Sequence, residues 1–493
     1  MHNINGIFYR YIVQRLLIYG KNILLTIIII MKKNNIKFFL FISFVVIASS
    51  FLFISLMIDK GGLNNLRVLF SVEERAAVKK YILPYKVIST QKLAISNLNE
   101  LTQSLTKNFI ELELQFKESN GHIQTKQSNL KLSNNKILEK YNLYQGFYSG
   151  IKNIFPGSGY IDFYEDNLFI LSSRGVLAYK NKIEDEYVFK QIKNNINNFI
   201  HINQFKKDIS FSLKDLFIKK DKIFISYTEE IKEDCWNTSI IFGNINYENI
   251  QFRKLFSSKE CIHSINNIDK EFDPHQSGGK IISFDDNYIL LSVGDYRSRF
   301  LAQNKKSVNG KILKINIKNN DYQIISMGHR NPQGLYLDKE NNLILETEHG
   351  PMGGDEINLI DIKKINKEKI LNYGWPMASA GEHYNGKEFY LNKKKYEKYP
   401  LYKSHSAYGF IEPIKSFVPS IGISEIAKIS KNKYVLSSLK DKSLYFFELN
   451  DERKVINLDR VEVFERIRDL KFSDNKLYLF MEDTASIGVI NLN

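Results

Sequence analysis

From about residue 145 to the C-terminus, the chain consists of short runs of strand-forming residues separated by turns. Six runs share one pattern, in which an Asp- or Asn-containing turn precedes three or four strand formers. The six copies are Asp166–Ile170, Asp221–Ile225, Asp286–Leu290, Asn341–Leu345, Asn432–Leu436 and Asp474–Leu479. A second apolar strand follows each copy, and one such sheet cannot bury both of its faces alone. The repeat predicts an all-β, six-bladed β-propeller over residues 145–493, whereas a pair of β-sandwiches does not explain why the copies resemble one another.

Polar and charged residues follow the repeated strand in most copies. They are Ser172–Gly175, Tyr227–Glu229, Gly294–Asp295, Glu348–Pro351, Ser438–Lys440 and Glu482–Thr484. Equivalent positions of a propeller meet at one end of its central channel, and a purely structural rim does not require such residues. The functional site is therefore predicted at that end of the channel.

The N-terminal third has a different pattern. Residues 38–58 are uncharged and follow Lys32, Lys33 and Lys37, and they match the ~20 residues that a membrane-spanning helix requires. The run exceeds the core of a cleaved signal peptide, which favours an uncleaved signal-anchor. The positive flank then places residues 1–37 in the cytoplasm and the remainder outside it, in the periplasm. Residues 1–30 are an upstream extension if Met31 is the natural start.

Between the predicted anchor and the propeller, residues 59–144 carry Leu and Ile at helical spacing, as in Leu98, Leu101 and Leu105. This spacing predicts a membrane-proximal helical stalk, with a loosely ordered spacer as the alternative for part of it.

Composition narrows the class of protein. With 493 residues, of which 43% are apolar, the chain can bury a sizeable core. The net charge of +15 comes from scattered Lys and Arg without interleaved aromatics, which favours a solvated basic surface over nucleic-acid binding. The two cysteines, Cys235 and Cys261, flank a predicted hairpin. They are placed to form a disulfide if the domain lies outside the cytoplasm, and two unpaired thiols are the alternative.

Several residues near the predicted strand ends carry reactive or charged groups. His275 can accept a proton from a substrate hydroxyl if a carboxylate holds its tautomer, and Asp295 is the candidate for that role. Arg330 and Asn331 lie in a loop suited to a planar, carbonyl-rich or anionic ligand. The remaining cations near strand ends are Lys440, Arg466 and Arg468. Four cations at one channel mouth require an anionic ligand to offset their repulsion.

Oxygen ligands for a metal occur in the stretch 348–360. The carbonyls of Gly350 and Pro351 and the carboxylate of Glu356 suit a hard cation such as calcium. The sequence contains no Cys/His zinc pattern, no phosphate-binding Gly loop and no Gly-x-Ser-x-Gly elbow.

Three successive motifs resemble those of a known family. Gly-His-Arg-Asn-Pro-Gln-Gly-Leu at 328–335, Glu-His-Gly-Pro-Met-Gly-Gly-Asp-Glu-Ile-Asn-Leu-Ile at 348–360 and Asn-Tyr-Gly-Trp-Pro at 372–376 look like the soluble quinoprotein glucose/sorbosone dehydrogenases, particularly their aldose sugar dehydrogenase branch. Flanking matches extend the resemblance over about 150–493. The family fold is a six-bladed propeller, in agreement with the repeat count.

The resemblance also implies a chemistry, the oxidation of the anomeric hydroxyl of an aldose to a lactone with pyrroloquinoline quinone (PQQ) and calcium. His275 would be the base, with Asp295 and Arg330 completing the catalytic set. Arg330, Asn331, Lys440, Arg466 and Arg468 would hold the quinone, and His349 would lie beside it. The carbonyls of Gly350 and Pro351 would bind a catalytic calcium, and Glu356 with the Tyr373 carbonyl a second, structural one.

The chain departs from the family pattern at three places. His275 is followed by a stretch one residue longer than His-x-Gly-Gly-Arg, the Gly-Leu-Leu-Gly-Leu stretch is replaced by Phe211–Leu216, and an insertion at 361–371 predicts an extra helix. The predicted function is a membrane-anchored sugar dehydrogenase that passes electrons to an acceptor of the membrane respiratory chain. The alternatives are a non-catalytic cell-surface propeller that binds a glycan or protein and, last, a lactone-hydrolysing calcium propeller.

Overall fold

A computed structural model of the chain describes only part of the N-terminal third. The described residues are 42–50, 90–105, 121–143, 158–181, 186–200 and 204–493, with gaps in the last range at 205–206, 209, 367–368 and 386–389. Helix α1 spans 42–50 and helix α2 spans 90–105. No helix in this described part is long and apolar enough to cross a membrane. The predicted cytoplasmic segment 1–37, most of the predicted anchor 38–58 and most of the predicted stalk lie outside the described residues.

The rest of the described chain forms six sheets. The N-terminal strands are β1 (His122–Ile123), β2 (Thr125–Lys131) and β3 (Ile137–Leu143). Blade 1 contains β4 (Gly159–Tyr164), β5 (Asn167–Ser172), β6 (Leu177–Asn181) and β7 (Phe189–Asn194). Blade 2 contains β8 (Leu213–Lys219), β9 (Lys222–Lys232), β10 (Cys235–Asn244), β12 (Arg253–Phe256) and β13 (Ile262–His263), while β11 (Asn249–Ile250) pairs with β7.

The remaining blades follow in chain order. Blade 3 contains β14 (Gly278–Ser283), β15 (Tyr288–Val293), β16 (Lys311–Asn316), β17 (Tyr322–Met327) and β21 (Leu371–Asn372), and blade 4 contains β18 (Pro332–Asp338), β19 (Leu343–Glu348), β20 (Asp355–Asp361) and β22 (Lys415–Phe417). Blade 5 contains β23 (Ile423–Ser430), β24 (Lys433–Ser438), β25 (Ser443–Leu449) and β26 (Val455–Glu462), and blade 6 contains β27 (Ile467–Ser473), β28 (Lys476–Met481) and β29 (Ser486–Asn491). Helix α3 spans Tyr390–Lys398.

The six sheets are arranged in a closed ring. Their innermost strands β4, β8, β14, β18, β23 and β27 each contact the next one, and β27 contacts β4. The predicted six-bladed propeller is confirmed. The repeated pattern marks the second strand of each blade, since β5, β9, β15, β19, β24 and β28 each pair with the innermost strand of their blade.

Six apolar cores hold the ring together, and each lies between two adjacent blades. Phe169 of blade 1 packs with Ile223 of blade 2, for example, and Leu345 of blade 4 packs with Leu436 of blade 5. The second strands therefore bury both faces, which explains why they read as nearly continuous apolar runs rather than as an alternation of apolar and polar residues.

Blade 6 is completed from the N-terminal side of the propeller. Strand β3 pairs with β29, and β2 pairs with β3, so both ends of the domain contribute to one sheet. The propeller thus starts before the predicted boundary at 145 and includes strands that the sequence placed in the stalk. Most side chains of β2 are exposed, so its sequence carries no pattern of buried positions that would have indicated a strand.

The two cysteines are joined. Cys235, at the start of β10, forms a disulfide with Cys261, and their Cα atoms are 5.2 Å apart. Of the two alternatives left by the sequence, the structure has the disulfide. The insertion at 361–371 does not contain the predicted α-helix among its described residues, because it forms only a 3-10 turn, Ile362–Lys364, before β21.

Candidate active site

The candidate site lies at the end of the channel where the innermost strands begin. In each blade, the antiparallel second strand ends beside that beginning, so both segments reach the same end. The cavity there is lined by side chains from all six blades, including Ser173, Ser210, His275, Gln333, Glu425 and Arg468. A second cavity shares His275 and extends over the turn at 349–353. Predicted strand-end residues of four blades line these cavities, among them Ser173, Pro351, Lys440 and Glu482, whereas Tyr227–Glu229 and Asp295 do not.

His275 reaches this cavity from a short 3-10 helix, Pro274–Gln276. The Asp273 carboxylate caps the helix and accepts the His275 backbone N–H at 3.0 Å. The same Asp273 Oδ1 lies 3.1 Å from His275 Nδ1, and His275 Nε2 lies 2.9 Å from Ser210 Oγ. The imidazole is 71% exposed. The Ser210 hydroxyl donates to Asp208 Oδ1 at 2.7 Å, and a proton held on Nδ1 by the Asp273 carboxylate would leave Nε2 as the acceptor for a substrate proton.

Asp273 is well suited to hold a proton donor. Burial alone would raise the pKa of its carboxyl, but the hydrogen bond from His275 and the charge of Arg297 lower that pKa to about 2. The carboxylate is therefore charged at neutral pH.

Asp295, the predicted partner of His275, has other contacts in the structure. It is fully buried, and its carboxylate accepts the Trp375 indole N–H at 2.7 Å and the Arg297 backbone N–H at 2.8 Å. Burial, only partly opposed by Arg330, raises its pKa to about 6. The partner that the structure gives to His275 is Asp273 instead, because the 3-10 helix turns the imidazole back toward its own cap.

Arg330 and Asn331 form the wall between blades 3 and 4. The Arg330 guanidinium donates to the His349 carbonyl at 2.9 Å and lies 5.5 Å from the centre of the Trp375 indole. The Asn331 side-chain oxygen accepts from the Gly278 N–H at 3.1 Å. These contacts fix both side chains where the sequence predicted ligand-binding residues.

The cations of blades 5 and 6 face the same space. Arg466 and Arg468 share one buried carboxylate, since their Nε atoms donate to Glu482 at 3.2 Å and 2.6 Å. Arg468 also donates to the Gln333 side-chain oxygen at 3.0 Å. Lys440 is exposed at the rim of the second cavity. The carboxylates of Asp483 and Asp469 also act on Arg466 and Arg468, so these guanidinium groups lie in a mixed charged wall.

The turn after β19 carries His349, Gly350 and Pro351 into the second cavity. It is too tight for a side chain at Gly350, where a Cβ would lie 1.6 Å from the Gly354 carbonyl oxygen. Asp355 anchors the turn, because its carboxylate accepts the N–H groups of Gly350 at 3.2 Å and Gly422 at 2.6 Å. Asp355 thus links the turn to blade 5, a role that the sequence did not reveal.

Glu356 and Tyr373 do not line either cavity. Glu356 is buried and points to His405, with Oε1 3.5 Å from His405 Nε2. The Tyr373 hydroxyl donates to the Leu359 carbonyl at 2.7 Å. These two residues therefore belong to the interior of blade 4, apart from the channel.

At the floor of the channel, carboxylates from three blades converge on Lys280. Its ammonium lies 3.0 Å from Asp215 and 3.3 Å from Asp469, and it also pairs with Glu425. Burial alone would lower the pKa of Lys280, but the three carboxylates raise it well above its usual value. A lactone-hydrolysing propeller needs such carboxylates for a metal, and here an ammonium group occupies their centre.

Two further residues of the site were not predicted from the sequence. Ser210 contacts His275, and Lys214, within the stretch 211–216, donates to the Ser210 carbonyl at 2.7 Å. Burial and then the charge of Arg468 lower the pKa of Lys214 to about 7. The signal that would have found them is their position just before, or at the start of, an innermost strand, the same position that His275 and Arg330 occupy.

The model of the glucose/sorbosone dehydrogenase family matches residues 207–489, which is more than half of the chain. The chain belongs to the glucose/sorbosone dehydrogenase family. The family resemblance seen in the motifs at 328–335, 348–360 and 372–376 is therefore confirmed, and with it the assignment to a family of oxidoreductases.

Relatives of known activity cover different shares of the chain. The aldose sugar dehydrogenase YliI of Escherichia coli K12 is 25% identical over 295 residues, which are 55% of this chain and 72% of that protein. The quinoprotein glucose dehydrogenase B of Acinetobacter calcoaceticus is 33% identical over 136 residues, which are 22% of this chain and 27% of that protein.

Solved structures support the fold of this family member. The soluble aldose sugar dehydrogenase of Escherichia coli in its apo form aligns with a TM-score of 0.53 and 22% identity, over 67% of this chain and 95% of that one. The PQQ-bound aldose sugar dehydrogenase of Streptomyces coelicolor aligns with a TM-score of 0.50 and 16% identity, over 72% of this chain and 98% of that one.

Proposed function

We propose that the chain oxidises an aldose or a similar sugar hydroxyl to a lactone, with PQQ and calcium as cofactors and His275 as the base. The observation that carries the proposal is one arrangement in the channel mouth. An exposed imidazole, held by a charged carboxylate, faces the same cavity as the guanidinium groups of Arg466 and Arg468. A base beside guanidinium groups suits a reaction in which a hydroxyl is deprotonated next to a cofactor that carries carboxylates.

The residues present fit a planar tricarboxylate such as PQQ. Arg466, Arg468 and Lys440 supply positive charge around the cavities, and Asn331 and Arg330 supply fixed donors on the opposite wall. Arg pairs with carboxylates through two parallel hydrogen bonds, so the two neighbouring guanidinium groups are matched to carboxylate ligands.

The turn at Gly350 and Pro351 fits a catalytic calcium. The Pro351 carbonyl accepts only long hydrogen bonds, 3.3 Å from the Gly354 N–H and 3.4 Å from the Ser420 hydroxyl, so its oxygen remains able to coordinate an ion. Carbonyl oxygens are ligands that calcium prefers. When bound, the quinone supplies the acceptor for two electrons and the calcium polarises it.

The chain's own residues supply the acid–base chemistry. His275 Nε2 takes the proton of the hydroxyl while Asp273 stabilises the imidazolium that forms, as a buried carboxylate does for a catalytic histidine. Arg330 and Asn331, held by Trp375, His349 and Gly278, keep the opposite wall in place.

Export of the domain is part of the proposal. The Cys235–Cys261 disulfide supports it, because disulfides persist in oxidising compartments such as the periplasm. Electrons from the reduced cofactor then leave to an acceptor of the membrane respiratory chain. Residues 38–58 provide the proposed anchor.

Reconstitution tests the proposal. The purified chain is titrated with PQQ in the presence of calcium, followed by absorbance, and then assayed for dye reduction with a panel of aldoses. Quinone binding with sugar-dependent dye reduction is expected, together with its loss in His275→Asn. A wild-type chain that binds the quinone but oxidises no sugar would overturn the dehydrogenase assignment.

The second candidate is a non-catalytic propeller that binds a glycan or protein at the cell surface. Its support is that His275 and Asp295 do not pair, while the turn at Gly350 and Pro351 is intact. The pairing with Asp273 supplies the missing carboxylate and favours the enzyme. Glycan-array binding without quinone binding would favour the second candidate.

A further inference from the structure

A cluster of buried polar side chains lies inside blade 4, behind the channel wall. Glu346 and Glu348, two residues apart on β19, point to the same face of the sheet, and Glu348 pairs in register with Glu356 of β20. His329, from the loop before β18, and His405, from the segment after α3, close the cluster. Their exposed fractions are 0% for His329 and Glu346, 1% for His405, 3% for Glu348 and 4% for Glu356.

The cluster has an excess of acidic groups. Among the described residues, the ion pairs formed by its three carboxylates involve only the imidazoles of His329 and His405. Buried carboxylates of this kind need either protons or a cation.

Several polar atoms in the cluster have no hydrogen-bond partner among the residues that the structure describes. They are His329 Nδ1, Glu346 Oε1, Asn358 Oδ1 and both ring nitrogens of His405. Buried polar atoms are normally paired, so several unpaired ones in one cluster indicate a missing ligand.

The spacing of the facing atoms indicates what kind of ligand. His329 Nδ1 lies 3.5 Å from Glu348 Oε1 and 3.7 Å from Glu346 Oε2, too far for hydrogen bonds. Two ligands ~2.1 Å from one ion at a tetrahedral angle lie roughly 3.4 Å apart. His329 Nδ1 and the two carboxylates lie within 4.8 Å of one another, as ligands of a single ion do.

We propose that this cluster binds one divalent transition-metal ion through His329, Glu346 and Glu348, with Glu356 and His405 beside the site. Imidazole nitrogen with carboxylate oxygen suits zinc, iron, cobalt or nickel, whereas calcium takes oxygen ligands alone. The imidazole donor of His329 therefore favours a transition metal over calcium at this cluster. The calcium that the family resemblance implies at Glu356 and the Tyr373 carbonyl stays a prediction, and the proposed transition-metal site depends neither on it nor on the proposed sugar oxidation.

Hydrogen bonds orient His329 and Glu348 in the way that neighbouring residues usually orient metal ligands. Ser326 Oγ lies 2.8 Å from His329 Nε2, which holds the ring with Nδ1 toward the carboxylates. The Asn358 amide donates to Glu346 and Glu348 at 3.0 Å each, which orients both.

The site is joined to the channel wall by the chain itself. His329 directly precedes Arg330, Glu348 directly precedes His349, and Glu348 Oε2 accepts the Arg330 backbone N–H at 2.6 Å. The ion has a structural role, in which it holds the strand ends that present Arg330 and His349.

Elemental analysis tests the site on the purified chain. Inductively coupled plasma mass spectrometry is expected to find about one transition-metal ion per chain that a calcium-selective chelator leaves in place and 1,10-phenanthroline removes. Removal is expected to lower the Tm, and zinc or cobalt(II), but not calcium, to restore it. A chain that retains calcium only, or no stoichiometric ion, would overturn the proposal.

A matched pair of variants locates the ion. Glu346→Gln keeps the shape of the side chain and is expected to weaken metal binding at least tenfold. Glu452→Gln, on a side chain that is 69% exposed, is expected to leave it unchanged. Equal metal content in both variants contradicts the assignment. If Glu346→Gln does not fold, cobalt(II) in the wild-type chain decides, since the d–d absorption of a nitrogen-ligated site is expected and an all-oxygen spectrum would refute it.

Discussion

His275 Nδ1 lies 3.1 Å from Asp273 Oδ1, and that same oxygen accepts the His275 backbone N–H at 3.0 Å. The Asp273 carboxylate thus caps the 3-10 helix and also orients the imidazole of His275. The arrangement is local, because donor and acceptor are two residues apart.

Removing the base and removing its partner should have different effects. His275→Asn is expected to lower kcat by about 10²- to 10⁴-fold, the usual contribution of a general base. Asp273→Asn is expected to lower kcat by a smaller factor, because the imidazole remains but loses its fixed tautomer, while quinone affinity stays unchanged in both variants. Steady-state kinetics with a dye acceptor and a quinone titration measure the two effects. Asp295→Asn is the matched control, and a larger loss of kcat there than in Asp273→Asn would restore Asp295 as the orienting residue.

The buried carboxyl of Asp295 should make stability depend on pH. Its pKa is raised by burial from 3.8 to about 6, so between these values the folded chain binds a proton that the unfolded chain has released. The free energy of unfolding contributed by this group therefore falls as the pH rises from about 4 to about 6. In Asp295→Asn this contribution is absent, and the stability of the variant relative to wild type is expected to rise over that range by roughly 3 kcal/mol at most. Urea unfolding at several pH values measures the difference, and a pH-independent difference contradicts the raised pKa.

The turn before the proposed calcium should tolerate no side chain at its first glycine. In Gly350→Ala the new Cβ would lie 1.6 Å from the Gly354 carbonyl oxygen, so the turn has to open and the carbonyls of Gly350 and Pro351 move apart. The expected result is a higher calcium concentration for half-maximal activation. Gly353→Ala is the control in the same turn, since its nearest neighbour is 3.8 Å away and only the backbone strain of a positive φ, about 1 kcal/mol, is added. Equal calcium requirements in the two variants would show that the turn does not hold the ion.

The number of blades could be predicted from the sequence because each second strand is buried on both faces. That burial forces an apolar run after a polar turn six times, as in Leu343–Leu345 and Leu477–Leu479. The edge strand β2 could not be predicted in the same way, because most of its side chains are exposed and carry no pattern of burial.

The candidate site could be predicted only where a reactive or charged residue lies beside a strand end that the repeat locates. His275, Arg330 and Arg468 lie beside strand ends that the repeat had located. His405 lies far along the chain from Glu356 and reaches it only through the fold of the segment after α3, so no spacing rule connects the two. The choice of Asp273 over Asp295 depends on the direction of a single 3-10 turn, which residue types alone do not determine.

The disulfide should stabilise blade 2. Cys235 and Cys261 are 26 residues apart, and closing a loop of that size in the unfolded chain corresponds to about 3 kcal/mol. Reduction of the exported protein, or the paired variant Cys235→Ser with Cys261→Ser, is expected to lower the free energy of unfolding by that order. Mass spectrometry with and without reductant first establishes the bond, and Cys261→Ser alone should match the double variant. Two free thiols in exported protein, or no change in stability on reduction, contradicts this expectation.

Removal of the Lys280 ammonium group from the channel floor should strongly destabilise the fold. It is almost fully buried among Asp215, Glu425 and Asp469, so Lys280→Met leaves three buried carboxylates without a countercharge. Losing one partner of a buried ion pair costs about 3–5 kcal/mol, so the free energy of unfolding of the variant is expected to be lower by at least that amount. Lys280→Arg is the matched control, because the family motif that resembles residues 275–280 ends in arginine and the positive charge is kept. Urea unfolding compares the two variants, with Met expected to be destabilised far more than Arg. If Lys280→Met is as stable as the wild type, the three carboxylates take up protons in place of the ammonium group. The Met variant would then release these protons on unfolding at neutral pH, and a pH titration would detect them.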